Sequence, residues 1–416
     1  MVFGWCGPLR PVAEFLRSRP WAGPLFSRDG RGSEGGLPGT CSLGLAGCGG
    51  SRQATTTGPS SSPGTSRAKN TSASKLIEQR RAEFTIDHDI YADLGYRLDW
   101  RGFPVVQAGE GIEFLDVYGD IVVAHESGAT ISALEASNGA LRNSSQVANP
   151  LTRFVGNLRV DDDIVVSSDN EIFVFSTATG ALTSRSKLSR VVTTHPVYAA
   201  GQVVYGTAIG HVYARQVRRP IDSWAFDLGS PIDTDPVLVG STVAAVSRNG
   251  DIAMIDVATG QLVGKAKIYG GCDAAPVGGD GAFFFASLDQ SIYAFAPDGT
   301  QRWRIRTEQP LRVTPTYHNG VLYVPTNDEG LRAVDASTGA EIWAQSQVAG
   351  RVIGVRQGRL VTWNGRVAKL LDPASGDVVA SHELPGVARL KPDRFEDGHL
   401  YVVSDGGIIA KFQPRD

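Results

Sequence analysis

Seven histidines (His88, His125, His195, His211, His318, His382 and His399) are scattered along 416 residues. No two stand in the HxH or HExxH spacing that brings imidazoles to one metal ion. The four cysteines, Cys6, Cys41, Cys48 and Cys272, form no CxxC pair, so neither a zinc site nor a disulfide framework is expected, and Cys272 reads as a small buried hydrophobe. The run Asp161-Asp162-Asp163 has the composition of a calcium loop. It occupies the hairpin position filled elsewhere by Asn319-Gly320 and Asp397-Gly398, however, which predicts a solvated turn. Gly30-Arg-Gly32-Ser-Glu-Gly35 satisfies a GxGxxG pattern, but no strand leads into it and no helix start follows to receive a pyrophosphate. With no G-x-S-x-G elbow and no P-loop either, the expectation is a protein without catalytic residues, metal or cofactor.

One constellation does converge. Glu113, Arg153, Thr193, Asp233, Asp273, Arg312, Arg351 and Arg389 recur at spacings of 40, 40, 40, 40, 39, 39 and 38 residues. They keep register with the small or proline residues Gly156, Pro196, Pro236, Pro276, Pro315, Gly354 and Pro392. Such a period stacks one polar side chain per repeat around a common axis. Two readings stand for this ring. Its charges pair with one another and with trapped water, or the arc Arg312, Arg351 and Arg389 grips a carboxylate ligand or an acidic loop of a partner in bidentate fashion.

The repeats that position the ring are legible from about residue 113. ALEASNGALRN, VFSTATGALTS, MIDVATGQLVG, AFAPDGTQRW, AVDASTGAEIW and LLDPASGDVVA place Gly139, Gly180, Gly260, Gly299, Gly339 and Gly376 about forty residues apart, with the one skipped interval filled by RQVRRPIDSW. Each glycine follows a polar cluster between two strand-like runs, which predicts hairpin turns with one residue at positive φ. A second phrase, a polar turn then a hydrophobic run, occurs eight times: GDIVVA, DDIVVS, GQVVYG, GSTVAAV, DGAFFFA, NGVLYVP, QGRLVTW and DGHLYVV. Short strands at this pitch without helical periodicity predict an all-β, eight-bladed β-propeller. The last unit stops at GGIIAKFQPRD, short of an outermost strand, while Tyr96-Arg-Leu-Asp-Trp100-Arg101 precedes the first. The N-terminal strand is therefore expected to complete the eighth blade.

The phrase Ala333-Val-Asp335-Ala-Ser-Thr-Gly339-Ala-Glu-Ile-Trp343 resembles the repeat of the PQQ-like propeller family, the eight-bladed fold of quinoprotein alcohol dehydrogenases. The resemblance covers about residues 96–416. It implies that the tryptophan of one blade docks on its neighbour, here Trp100, Trp224, Trp303 and Trp343; the other blades have Asn143, Ser184, Gly264 and Ala380. For an enzyme the resemblance implies PQQ, calcium, vicinal cysteines and inserted roofing loops. This chain has no adjacent cysteines, and its pitch leaves no room for inserts, so a PQQ- and calcium-dependent redox enzyme is only the alternative, beside a propeller that binds a ligand at the channel mouth.

The formal charge of −3 averages two segments. Residues 1–75 carry nine Lys/Arg against three Asp/Glu, and the remainder is acidic, which gives no reason to expect nucleic-acid binding. No run of eighteen apolar residues occurs, so membrane contact is expected only through a lipid. Leu45-Ala46-Gly47-Cys48-Gly49 resembles the lipobox of bacterial lipoproteins and implies acylation at Cys48. The expected organisation is a leader with lipobox over 1–48, a disordered Ser/Thr/Gly linker over 49–75, a lead-in segment over 76–95 and the propeller over 96–416. A short PQQ-like propeller behind a lipobox resembles the propeller lipoproteins of the outer-membrane β-barrel assembly machine. That resemblance implies a monomeric, non-enzymatic scaffold on the periplasmic face of the outer membrane, with a barrel-assembly subunit as protein partner.

Overall fold

The structure, a computed structural model, describes residues 78–415 apart from positions 79, 108, 150, 327 and 328. The leader with Cys48, the 49–75 linker, the start of the lead-in and the Gly30–Gly35 pattern lie outside the described residues.

Eight four-stranded antiparallel sheets form the blades of a β-propeller. Blade 1 runs outward through Ile112–Tyr118, Ile121–Glu126, Thr130–Glu135 and Leu141–Gln146, and the next six repeat that meander. Second strands such as Ile121–Glu126 are buried along their whole length, because neighbouring blades cover both faces; hence their unbroken apolar runs in place of alternation. Outer strands such as Leu182–Lys187 are largely exposed. The core is thus a set of layers between blades, as where Val204, Val212 and Ala214 of blade 3 meet Val243, Ala253 and Ile255 of blade 4.

Blade 8 takes three strands from the C-terminal end, Val387–Pro392, Leu400–Ser404 and Ile409–Pro414. Its outermost strand is Tyr96–Gly102, paired antiparallel from Tyr96 opposite Pro414 to Gly102 opposite Ile409. A short helix, His88–Asp93, precedes that strand, with the Asp87 carboxylate capping its first N–H groups. The helix sets Tyr91 flat on Phe412 at 3.9 Å between ring centroids. Phe84, Ile86 and Leu94 are buried with it against Leu370, Leu384 and Leu400.

The four tryptophans share one geometry. Each indole N–H donates to a carbonyl in the turn of the next blade: Trp100 to Ala136 (3.0 Å), Trp224 to Val257 (2.9 Å), Trp303 to Ala336 (3.0 Å) and Trp343 to Pro373 (2.9 Å). Gly139, Gly260, Gly339 and Gly376 lie under these rings. Gly139, Gly180, Gly260, Gly299, Gly339 and Gly376 all have φ between 67° and 87°. A Cβ on Gly139 would stand 2.4 Å from Trp100, and one on Gly339 would stand 2.9 Å from Trp303. Backbone sign and ring contact both require glycine there.

Asp161 adopts φ 54° at its hairpin and pairs with Arg218. At the other expected hairpin the structure differs. Pro392 pairs with Leu400, the last ladder bond runs from Asp393 N to His399 O (3.0 Å), and residues 394–398 leave the sheet. Asp397-Gly398 is therefore part of a wider loop, not a two-residue turn, because Asp393 satisfies the His399 N–H with its side chain (2.8 Å) and the strand ends early.

Two tests follow from this packing. Deleting residues 96–102 strips blade 8 of its outer strand and exposes an apolar edge; the melting temperature is expected to fall sharply with aggregation, whereas an unchanged melt would show that closure does not depend on this strand. Trp303→Ala and Trp343→Ala should each cost about 3 to 5 kcal/mol in urea unfolding, and a loss under ~1 kcal/mol would show that the indoles contribute little to blade contact.

Candidate functional site: the channel and its ring face

Connections between one blade's outer strand and the next blade's inner strand emerge on the same face as the loops between second and third strands. The eight periodic positions lie at that face or just inside it. Glu113 feels the Arg389 and Arg153 guanidiniums of the flanking blades, yet burial holds its pKa above the ordinary carboxylate range. The Thr193 hydroxyl donates to the Ile232 carbonyl of blade 4. Asp233 pairs with Arg248 at 2.6 Å, and Asp273 pairs with Arg312. Arg351 donates from Nε to the Thr316 hydroxyl (3.1 Å), which in turn donates to the Val352 carbonyl (2.8 Å). Water reaches the tip of Arg351, but the surrounding protein lowers its pKa by desolvation. The three-arginine arc is thus divided: Arg312 has a carboxylate, while Arg351 and Arg389 have none within 4.0 Å among the described residues.

Inside the ring face lies a cavity of about 810 Å³. Phe114, Pro315, Ile353 and Trp363 give it apolar walls, and Glu113, Asp116, Arg351, Arg389 and Lys391 give it charge. At its far end the 394–398 loop leans across. Phe395 O accepts from Val355 N of blade 7 (2.6 Å), and Glu396 reaches His318 (3.0 Å) and Asn319 (3.2 Å) of blade 6. Lys391 pairs with Asp116, whose other oxygen accepts from Asn157 Nδ2 (2.8 Å), and Asn157 Oδ1 accepts from the Tyr118 hydroxyl (2.7 Å). That chain links blades 8, 1 and 2 along the wall.

The periodic alignment missed Lys391, Asp116 and the 394–398 loop. Lys391 and Asp116 lie two and three residues beyond the aligned positions, where other blades carry unrelated side chains. A weak signal for the loop was the charged run Asp393-Arg-Phe-Glu-Asp397, in a place where other blades have two turn residues. Among the described residues no group of three or more His, Cys, Asp or Glu side chains could hold a metal ion. Cys272 is free, and burial pushes its thiol pKa up, so it is no nucleophile.

Buried beside the channel, His125 has no hydrogen-bond partner for either ring nitrogen among the described residues. It packs against Phe114 at 5.6 Å and edge-on to Phe154 at 4.1 Å. Desolvation lowers its pKa to about 4, against the opposing pull of Asp116.

A second apolar feature escaped the sequence reading. Leu151, Val191, Ile209 and Tyr269 stand on ring-face connections spread from blade 1 to blade 5 and are exposed by 90%, 54%, 63% and 66%. Val191 O accepts from Ala208 N (3.2 Å), which brings two of these connections side by side.

Eight four-stranded blades around a central channel, joined by short loops, define the fold class as a PQQ-like propeller. The sequence matches the family described as outer membrane protein assembly factor BamB over residues 104–226, 152–275, 248–391 and 331–416, and the chain belongs to that family. It is 29% identical over 196 residues to the outer membrane protein assembly factor BamB of Burkholderia pseudomallei, covering 44% of this chain and 51% of that one. The Bordetella pertussis protein of the same name is 25% identical over 120 residues, 29% of this chain and 31% of its own. The chain thus spans about half or less of the length of these two curated relatives. These relatives are outer membrane protein assembly factors by name. The crystal structure of BamB from Moraxella catarrhalis superposes with a TM-score of 0.59 at 16% identity, over 74% of this chain and 99% of that one. The computationally designed Ika8 protein does so at 0.62 and 16%, over 76% and 99%. At such identity these likenesses show the fold.

The His125 environment predicts a pH effect. Its folded pKa lies below the unfolded value of 6.5, so the unfolded chain takes up the proton first. Stability is full above pH ~6.5 and falls as the pH drops toward the folded pKa, by about 3 kcal/mol at pH 4. His125→Leu should remove that part of the acid loss in urea unfolding at pH 7 and pH 4; equal losses in both proteins would show that the imidazole is protonated in the fold.

Proposed function

We propose that this protein is a non-enzymatic scaffold of the cell envelope that assists outer-membrane protein assembly. It docks its ring face on a protein partner, the barrel-bearing subunit of the assembly machine. The observation that carries the reading is the exposed apolar set Leu151, Val191, Ile209 and Tyr269 on one face. The Val191 and Ile209 connections adjoin, and large apolar side chains exposed on one face commonly mark a contact surface. The solvent-accessible pairs Asp233–Arg248 and Asp273–Arg312 beside it suit the polar rim of an interface, where charge steers association and sets orientation. Membership of the assembly-factor family supports the same partner class. Acylation at Cys48 and a flexible 49–75 linker would hold a monomeric propeller at the periplasmic face of the outer membrane. A Gly/Ser-rich chain of about twenty-five residues has a random-coil span of roughly 25 to 30 Å, which would let the ring face turn toward a membrane-bound partner.

The test combines two variants. Leu151→Asp with Tyr269→Asp should reduce co-purification with the barrel-bearing subunit by about tenfold, a loss on the scale of one interface anchor, and leave the melting temperature unchanged. Cys48→Ala should move the protein from the membrane to the soluble fraction. Wild-type capture by the double variant would overturn the docking face, and a soluble wild-type protein retaining residues 1–47 would overturn the anchor.

A further inference from the structure

Pairing removes most charges of the channel wall from consideration and leaves a few exposed to its interior. Both oxygens of Asp116 are engaged, by Lys391 and by Asn157. Both oxygens of Asp393 are engaged by His399, through its backbone N–H (2.8 Å) and its ring (2.9 Å). What remains is Arg351 and Arg389 against the single carboxyl of Glu113, since Arg394 reaches Asp393 at 4.0 Å. Arg351 is fixed by its one bond from Nε to Thr316, so both of its terminal nitrogens lack a protein acceptor among the described residues. Arg389 makes no hydrogen bond or ion pair among them. These two arginines sit on adjacent blades at the same level of the wall, beside the apolar surface of Phe114, Ile353 and Trp363. A cavity of about 810 Å³ lies within the range of small-molecule sites, which are mostly apolar with a few placed polar groups. It is narrowed at one end by the 394–398 loop, so a ligand entering from the ring face meets a floor at Phe395.

We propose that this cavity is a binding site for a small organic anion, with one carboxylate or phosphate group held by Arg351 and Arg389 and an apolar body lying against Ile353 and Trp363. The planar fork of guanidinium suits either oxyanion in bidentate geometry. The proposal is independent of protein docking, because the site lies inside the channel and the apolar docking set lies on the outer loops.

The experiment is isothermal titration calorimetry of the full chain at low ionic strength, with citrate in one arm and inorganic pyrophosphate in the other. The expected result is saturable one-to-one binding of one probe with a Kd below about 1 mM. The preferred arm assigns the ligand to carboxylates or to phosphates. Arg351→Gln with Arg389→Gln should weaken binding about tenfold or more, the scale of a lost charged bidentate contact. Arg312→Gln, whose native side chain is already paired with Asp273, should change binding less than about twofold. Should the double variant fail to fold, Arg351→Lys keeps the charge but loses the fork, and an about threefold or larger weakening is expected. No saturation by either probe at about 10 mM, or equal binding by the wild type and the folded arginine variants, would overturn the site.

Discussion

Everything in this propeller hangs on joining the two ends of one chain. Seven blades are local meanders that form from contiguous residues, but blade 8 exists only when Tyr96–Gly102 pairs with Ile409–Pro414 across more than three hundred residues. The seam is reinforced in two places. Lys411 reaches Asp99 of the N-terminal strand (3.2 Å) and the Ala136 carbonyl of blade 1 (3.1 Å), the same carbonyl that accepts from Trp100. On the other side of blade 8, the buried Arg356 of blade 7 donates to Gly95 O (2.9 Å), to Asp397 (2.7 Å) and to the Arg415 carbonyl, and lies over the Tyr96 ring. One guanidinium thus ties together the N-terminal entry, the C-terminal exit and the loop under the channel. Replacing it by an apolar side chain would take this donor from the Gly95 and Arg415 carbonyls and from the Asp397 carboxylate at once.

Closure fixes the spacing of blades, and one repeated contact maintains it. An indole on one blade covers a left-handed glycine of the next and donates to a carbonyl nearby. Blades without tryptophan meet the same steric demand with smaller groups. Asn143 Nδ2 donates to Gly180 O (2.6 Å), and its Cβ occupies the space a Gly180 side chain would need. Gly264 lets the Asp298–Gly299 backbone approach so closely that a Cβ would come within 2.2 Å. The repeat is eroded in residue type, and tryptophan, Asn143 and Gly264 meet the next blade's turn in three different ways.

That distinction explains what the sequence made legible. Period, turn glycines and the strand around Trp100 are local or strictly repeated, so hydrophobic pattern and φ requirements expose them. The ring positions were placed by the same period, but their partners were not. Arg248 meets Asp233 from a neighbouring loop, and Asp116 with Lys391 meets across the closing seam. The first joins two loops of blade 4 and the second joins two blades, and neither leaves a trace in the repeat period. The 394–398 loop was hidden because the unit containing it is no longer than its neighbours; the loop grows at the expense of strand pairing beyond Pro392. Likewise Leu151, Val191, Ile209 and Tyr269 read as ordinary apolar residues until their loops come to one face.

The placement of charge also bears on what the channel can do. Water reaches Asp233, Asp273 and Arg312, so their fields are screened, and preorganised charges gain little over solvent in such a setting. Catalysis of a demanding step would need a site closed to water with a base or a nucleophile at a shifted pKa. The described wall offers a carboxyl, Glu113, that is desolvated but flanked by Arg389 and Arg153, and a guanidinium, Arg351, that cannot give up its proton. Arg351 can recognise and orient an oxyanion, while proton transfer at this wall could fall only to Glu113. The same fold can carry either role, so what this channel does is set by the side chains its inner strands present and not by the ring itself.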